Sequence, residues 1–168
     1  MTEEKIHQPA PGSALYTIGY QGRKPEGLLR LAEHLDVVIV DVRAVPHSRV
    51  AHWRRPALEK LLGARYLWRG DVLGGRYQGR GGPTAEGFAW LRAELGRGRR
   101  MALMCMERAP GDCHRFGLIT RGRFPEAQHV YLSPGGFDVV IGEEDFARYV
   151  DDETMEPACE EIVMEAQP

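Results

Sequence analysis

The hydrophobic positions of the chain fall into short apolar runs separated by amphipathic segments. Five apolar runs predict buried strands: ALYTIGY, DVVIVDV, ARYLW, RRMALMCM and AQHVYL. Four segments with helical spacing lie between or after them: PEGLLRLAEHL, RPALEKLLG, AEGFAWLRAELGRG and CHRFGLITRGRF. Strands that alternate with helices are typical of a mostly parallel sheet covered on both faces. We therefore expect one three-layer α/β domain of Rossmann-like or rhodanese-like architecture.

The polar and charged residues divide the chain into three parts. We expect an extension over residues 1–14, the α/β domain over 15–141, and an acidic extension over 142–168. The segment GFDVVIGEEDFARYV predicts an edge strand and a short helix, whereas the glycine-rich GGRYQGRGGPTAEG predicts a loop. From Gly142 onward the net charge is −9, and before it the net charge is +7. The acidic extension has few aromatic residues, so we expect it to be partly disordered.

Composition also bears on compartment and partners. No apolar run approaches the roughly 18–20 residues that span a bilayer, and the start MTEEKIHQPAPGSA lacks the apolar centre of a signal peptide. Three cysteines are an odd number for a disulfide framework, so reduced thiols and a cytoplasmic location are expected. The basic, arginine-rich domain suits an anionic small molecule or a nucleic acid. The oligomeric state stays open.

Four polar segments follow the predicted strands and are expected to meet at one edge of the sheet. In an open α/β sheet, ligands bind beyond the carboxyl ends of the strands. The segments are Gly19–Gly22 with Tyr20, then Asp41–Arg49, the Gly74-Gly75 pair, and Cys105–Arg115.

These segments also carry a resemblance to a known family. YTIGYQG, DVRAVPHSR, LGG and CMERAPGDCHR resemble, in order and spacing, the family called domain of unknown function 488, over about Leu15 to Leu132. The resemblance implies an α/β fold and a site at these residues, and the family has no agreed reaction. A strand that ends in Asp-Val-Arg, and a cysteine loop that runs to an arginine at a helix start, are similar to rhodanese-type sulfurtransferase domains. Here that loop is longer and carries a second cysteine and a glutamate.

The loop from Cys105 to Arg115 allows several interpretations. Pro110-Gly111-Asp112 predicts a helix start with Asp112 as N-cap, which places Cys113 in the first turn. Backbone N–H groups and the helix dipole would favour a thiolate there, so Cys113 is a candidate nucleophile or a packed core residue. Cys105 is either a core residue or the partner of Cys113 in a reversible disulfide. Cys105, Glu107, Cys113 and His114 are residue types that bind zinc, but their spacing does not match a paired-cysteine motif. The neighbours Cys113 and His114 would also point in different directions on a helix. We therefore assign no metal ligands, and whether the two cysteines pair or bind metal stays open.

Anion recognition is the further interpretation of the same edge. Its candidate residues are Arg43, Ser48, Arg49, His114, Arg115 and the backbone of Gly19, Tyr20, Gly74 and Gly75. Asp41 and Glu107 are candidates for acid/base work, or for structural anchoring. His47 is expected at the surface. His52, Trp53 and Trp68, interleaved with Arg54, Arg55 and Arg69, could stack a base or pack in the core.

Three functions remain in consideration from the sequence. We favour an enzyme that acts on an anionic substrate, either a nucleotide or a nucleic acid. The alternatives are a nucleic-acid-binding module without catalysis, and a thiol-based sulfurtransferase or redox protein. No cofactor is identified.

Overall fold

A seven-stranded sheet forms the centre of the protein. The computed structural model describes residues 9–75, 81–152 and 159–164. The strand order is β3-β2-β4-β1-β5-β6-β7. The first five strands in this order run parallel to one another, whereas β6 pairs antiparallel with β5, and β7 pairs antiparallel with β6. The strands are β1 (Ala14–Gly19), β2 (Val38–Asp41), β3 (Tyr66–Trp68), β4 (Arg100–Cys105), β5 (Gln128–Leu132), β6 (Asp138–Gly142) and β7 (Glu160–Glu161).

Helices follow most of the strands. They are α1 (Pro25–Leu35), α2 (Arg55–Leu62), α3 (Gly70–Leu73), α4 (Ala85–Gly96) and α5 (Glu143–Asp151), together with a π-helical segment, Arg115–Thr120. Proline in the first turn fits α1 and α2, because its missing N–H would have no partner there. The Thr84 side chain accepts the Gly87 N–H at 3.1 Å and caps α4. None of the helices in the described ranges is long and apolar enough to cross a membrane.

Of the three hydrophobic clusters in the described residues, the two larger ones lie on opposite faces of the sheet, and the third holds Phe116, Ile141 and Phe146. Along β4, Met101, Leu103 and Cys105 belong to one core, while Ala102 and Met104 belong to the other, as the alternation of a strand requires. The first core contains side chains of α4, and the second contains side chains of α1 and α2. The predicted single α/β domain with a mostly parallel sheet is therefore confirmed.

The end of the chain differs in detail from the expectation. A short turn joins β5 to β6, where the Ser133 N–H donates to the Phe137 carbonyl, and so short a connection allows only an antiparallel pair. The predicted edge strand is β6, but β7 of the acidic extension lies outside it. Ile162 and Met164 pack against the core that holds α1 and α2. The rest of the extension predicted to be disordered, 153–158 and 165–168, lies outside the described residues.

The predicted helix over Cys113–Phe124 is shorter and starts later. Pro110–Asp112 form a 3₁₀ turn, after which Cys113 is extended (φ −126°, ψ 147°) because its N–H is already bonded to Pro110. Regular π-helical bonding then begins at Arg115. The side chain of Asp112, the predicted N-cap, lies outside the described residues, as do residues 76–80 of the predicted glycine loop.

Candidate functional site: two thiols and a histidine

The carboxyl ends of three neighbouring strands bring the candidate residues together. Gly19 at the end of β1 pairs in register with Cys105 at the end of β4, and Asp41 of β2 pairs with Met104. The loop that leaves β4 returns to the same edge at Cys113. Both thiols are buried, with Cys105 9% and Cys113 6% exposed, and neither forms a disulfide.

One ring nitrogen of His114 faces both sulfur atoms. Its Nδ1 is 3.6 Å from Cys113 Sγ and 3.8 Å from Cys105 Sγ, and all three atoms lie within 4.8 Å of one another. The other ring nitrogen, Nε2, is 3.0 Å from the Val42 carbonyl oxygen. Only a protonated Nε2 can donate to that carbonyl, so in the neutral ring Nδ1 carries the lone pair. Val42 thereby fixes a base that faces both thiols.

Arg115 holds the loop between the cysteines in place. It is fully buried, and its guanidinium donates to the carbonyl oxygens of Glu107 at 2.8 Å and Arg108 at 3.4 Å. Arg108 in turn donates to the carbonyls of Leu132 and Ser133, at 2.8 and 2.7 Å. These bonds tie the loop to the following strand and place a fixed positive charge next to the thiols.

Two glycines allow the close contacts that the site needs. A Cβ at Gly19 would lie 1.8 Å from the Glu107 carbonyl oxygen, so only glycine lets the loop pass over the end of β1. A Cβ at Gly75 would lie 3.0 Å from both Cγ and Nδ1 of His114. Gly75 therefore leaves the space beside Nδ1 free of a side chain.

The two thiols titrate as a pair. The hydrogen bond with Cys105 is the largest influence on the pKa of Cys113, and with His114 and Arg115 it outweighs burial and lowers this pKa to about 4. The same hydrogen bond, with burial, raises the pKa of Cys105 well above its usual range. One proton is thus shared between the two sulfurs, and the negative charge stays on Cys113, close to the Arg115 guanidinium.

Asp41 and Arg43 form a buried ion pair beside this cluster. Arg43 donates from Nε and Nη2 to the two carboxylate oxygens of Asp41, at 2.9 and 2.7 Å, and Asp41 is fully buried. Tyr66 donates its hydroxyl to Asp41 at 2.6 Å, and burial together with this bond raises the pKa of Tyr66. Arg43 Nη1 donates to the Trp53 carbonyl at 2.8 Å and to the Tyr20 hydroxyl at 3.4 Å. The pair thus fixes the backbone on both sides of Val42.

The other predicted anion contacts are more scattered. Arg49 is exposed, and the Ser48 hydroxyl accepts the Val50 N–H at 3.1 Å within its own turn. Gly74 packs against Ala44, where a Cβ would be 2.9 Å from the alanine Cα. Glu107 is half-buried, and its backbone carbonyl rather than its carboxylate receives Arg115. Arg43 is paired with Asp41 and Arg115 with backbone carbonyls, and the binding of an anion by Arg43, Arg49 and Arg115 stays a prediction.

The aromatic residues predicted to stack a base are engaged within the protein. Trp53 is buried and stacks on Tyr20 with a centroid distance of 4.7 Å, while exposed His52 meets its edge. Trp68 donates Nε1–H to the Arg43 carbonyl at 2.8 Å, and the Arg55 guanidinium lies 4.9 Å from its ring centre. His47 is at the surface, as expected.

Several groups that position the residues of the site could not be predicted from the sequence. Val42 acts through its backbone carbonyl, which no side-chain pattern reveals, and Tyr66 looked like an ordinary strand residue. A second buried network joins Thr17 to His129 Nδ1 at 2.7 Å and His129 Nε2 to Glu143. A histidine inside an apolar strand was the only signal of it in the sequence.

Comparison of the chain with protein-family models, with curated proteins and with solved structures found no match. The resemblances to the domain of unknown function 488 and to rhodanese-type domains therefore stay predictions.

Proposed function

We propose that the protein is a thiol-dependent enzyme that exchanges electrons with a disulfide substrate. In this proposal Cys113 is the nucleophile, His114 is the base and Cys105 is the second thiol. One observation carries the proposal: His114 Nδ1 faces both sulfur atoms, at 3.6 and 3.8 Å, while Nε2 is anchored on the Val42 carbonyl. A nucleophile, a base and a group that orients the base are the parts that covalent catalysis requires. A free dithiol of this kind suits a reducing compartment such as the cytoplasm.

The reaction proceeds by two exchanges. The Cys113 thiolate attacks one sulfur of a disulfide RSSR′, which forms the mixed disulfide Cys113–S–S–R and releases R′S⁻. Cys105 then loses its proton to His114 and attacks Cys113 Sγ, which releases RS⁻ and forms the Cys105–Cys113 disulfide. One leaving thiolate takes up the proton that Cys105 gave to His114, and the other carries away the negative charge that the Cys113 thiolate brought to the reaction. Two electrons pass from the protein to the substrate, so an external dithiol must reduce the enzyme afterwards.

Trapping of the mixed disulfide tests the proposal. Cys159 is exposed, so all variants carry Cys159→Ser to remove its background reaction. Reduced protein is mixed with oxidised glutathione and examined by intact mass spectrometry. Cys105→Ser should accumulate a glutathione adduct on Cys113, because the second exchange is blocked. The matched variant Cys113→Ser should gain no adduct, or gain it far more slowly. Equal labelling of the two folded variants would contradict the assigned roles.

The basic character of the domain supports an anionic substrate. The chain before Gly142 has a net charge of +7, and Arg49 is exposed on the loop after β2. We therefore propose that anionic disulfides are preferred over cationic ones, since the charge steers them to the site. Oxidised glutathione should react faster than cystamine, and salt should reduce the difference. Arg49→Gln should reduce it as well, and Arg30→Gln on the exposed side of α1 is the control of equal charge.

Nucleic acid is the other anionic partner that the sequence predicts. Added single-stranded oligonucleotide distinguishes the two classes, because a bound nucleic acid would cover the edge and slow the exchange. A rate unchanged by oligonucleotide would favour the small disulfide. A rate that falls with oligonucleotide and recovers at high salt would favour nucleic acid.

A further inference from the structure

The distances within the thiol cluster match those of a metal coordination sphere. Zinc binds cysteine sulfur at about 2.3 Å and histidine nitrogen at about 2.0–2.1 Å in tetrahedral sites, so such donors lie roughly 3.6 Å (N to S) and roughly 3.8 Å (S to S) apart. In this structure Nδ1 of His114 lies 3.6 Å from one sulfur and 3.8 Å from the other. The two nitrogen–sulfur separations are therefore close to those of ligands that share one ion, and all three donor atoms lie within 4.8 Å of one another.

The surroundings of the cluster supply the support that metal ligands need. A ligating histidine usually donates its second N–H to a carbonyl or carboxylate, which fixes the ring and directs its lone pair at the metal. His114 does this through Nε2 and the Val42 carbonyl at 3.0 Å. Gly75 leaves the space beside Nδ1 open, since a Cβ there would lie 3.0 Å from that atom.

We propose that Cys105, Cys113 and His114 bind one thiophilic d¹⁰ cation of the Zn²⁺ type through two sulfurs and Nδ1. These three form the group of His, Cys, Asp and Glu donors that the described ranges bring together. A fourth coordination position is then left for water or for a small thiol, as in zinc sites with three protein ligands. The adjacent Cys113 and His114 can ligate together because Cys113 is extended before the helix rather than within it.

Bound metal would regulate the thiol chemistry, and this part of the inference rests on the proposed function. The lone pairs that attack a disulfide are the ones that bind the cation, so the two states exclude each other. The cation therefore leaves before the thiolates attack, and the overall reaction converts the metal-bound dithiolate and RSSR′ into the Cys105–Cys113 disulfide, RS⁻, R′S⁻ and the free cation. Oxidation of the site thus releases the metal, and metal occupancy protects the thiols from oxidation.

Titration with Co²⁺ and Zn²⁺ tests the binding. Reduced, metal-free Cys159→Ser protein should bind Co²⁺ in one-to-one ratio with a sulfur-to-cobalt charge-transfer band, and Zn²⁺ should abolish that band. Each of Cys105→Ser, Cys113→Ser and His114→Ala should weaken Zn²⁺ binding by at least about tenfold. His47→Ala, at an exposed histidine, is the control and should change nothing. Circular dichroism of each variant verifies that the fold is retained.

The outcomes separate the metal site from the enzyme. Absence of one-to-one binding in protein that still exchanges disulfides would overturn the metal site, as would binding that survives all three substitutions. Metal binding with no trapped mixed disulfide would instead overturn the proposed function. Loss of bound Zn²⁺ upon addition of oxidised glutathione is the expected result when both hold. Retention of Zn²⁺ after the disulfide has formed would contradict the regulation.

Discussion

Replacement of Asp41 by asparagine tests whether the Asp41–Arg43 ion pair holds Val42, and through it His114, in position. The Asp41 carboxylate accepts hydrogen bonds from the N–H, Nε and Nη2 of Arg43 and from the Tyr66 hydroxyl. Asparagine offers one oxygen acceptor and turns an amide NH₂ toward these donors. Arg43, only 6% exposed, would then keep a charge with no counter-ion. Loss of one partner from a buried pair typically costs about 3–5 kcal/mol, so Asp41→Asn should lower the free energy of unfolding by about that amount.

Urea denaturation followed by circular dichroism measures this loss. Glu59→Gln is the matched control, because Glu59 pairs with Arg55 at 2.7 Å on the surface, where both side chains are more than 40% exposed. Exposed pairs contribute little, so the control should be close to wild type. Since Asp41 and Arg43 flank Val42, Asp41→Asn should also slow formation of the Cys105–Cys113 disulfide. A loss below about 1 kcal/mol, or equal losses in the two variants, would refute the assigned role of the pair.

Three further predictions concern the loop and the thiols. Gly19→Ala should destabilise the fold by at least about 1–3 kcal/mol, the usual cost of overpacking, because its Cβ would lie 1.8 Å from the Glu107 carbonyl. Gly27→Ala in α1, with open space at its Cβ, should instead stabilise by about 0.5–1 kcal/mol in the same denaturation experiment. In metal-free Cys159→Ser protein, iodoacetamide should label Cys113 at a rate nearly independent of pH from 6 to 8, since a pKa of about 4 keeps it ionised above that value. Cys105→Ala removes the hydrogen-bond donor and should raise this pKa, so its labelling rate should increase with pH. An increase of equal slope in the parent protein would contradict the shared proton. Zn²⁺ should suppress the labelling, and EDTA should restore it.

The sheet could be predicted from the sequence because its signals are local. Each parallel strand contains an apolar run, and prolines mark the first turns of α1 and α2. The alternating order of strands and helices can therefore be predicted from the sequence. The meeting of Gly19, Asp41 and Cys105 at one edge follows from the parallel topology alone. The antiparallel addition of β6 depends on a five-residue turn, and β7 consists of two exposed glutamates with no apolar pattern.

The chemistry of the site was less predictable because it depends on side-chain and backbone contacts that the order of strands and helices does not specify. Arg43 and Arg115 look like ligands for an anion when only the strand ends are considered. Their partners are an aspartate two residues away and backbone carbonyls of the loop, and these contacts depend on how the chain returns to the edge. Cys113 and His114 seemed unable to ligate one ion as neighbours on a helix. The 3₁₀ turn at Pro110 keeps Cys113 extended and lets both point to the same place.

The central claim is that Cys105 and Cys113 form one redox couple and that His114 accepts the Cys105 proton. Identification of the disulfide that the protein forms tests this claim directly. Wild-type protein is equilibrated with oxidised glutathione, digested without reduction, and its disulfide-linked peptides are identified by mass spectrometry. The account predicts a peptide that links Cys105 to Cys113, with Cys159 outside that link, and slower formation of the link in His114→Ala. A fully folded protein in which Cys105 and Cys113 stay reduced, or form only separate glutathione adducts, would contradict it.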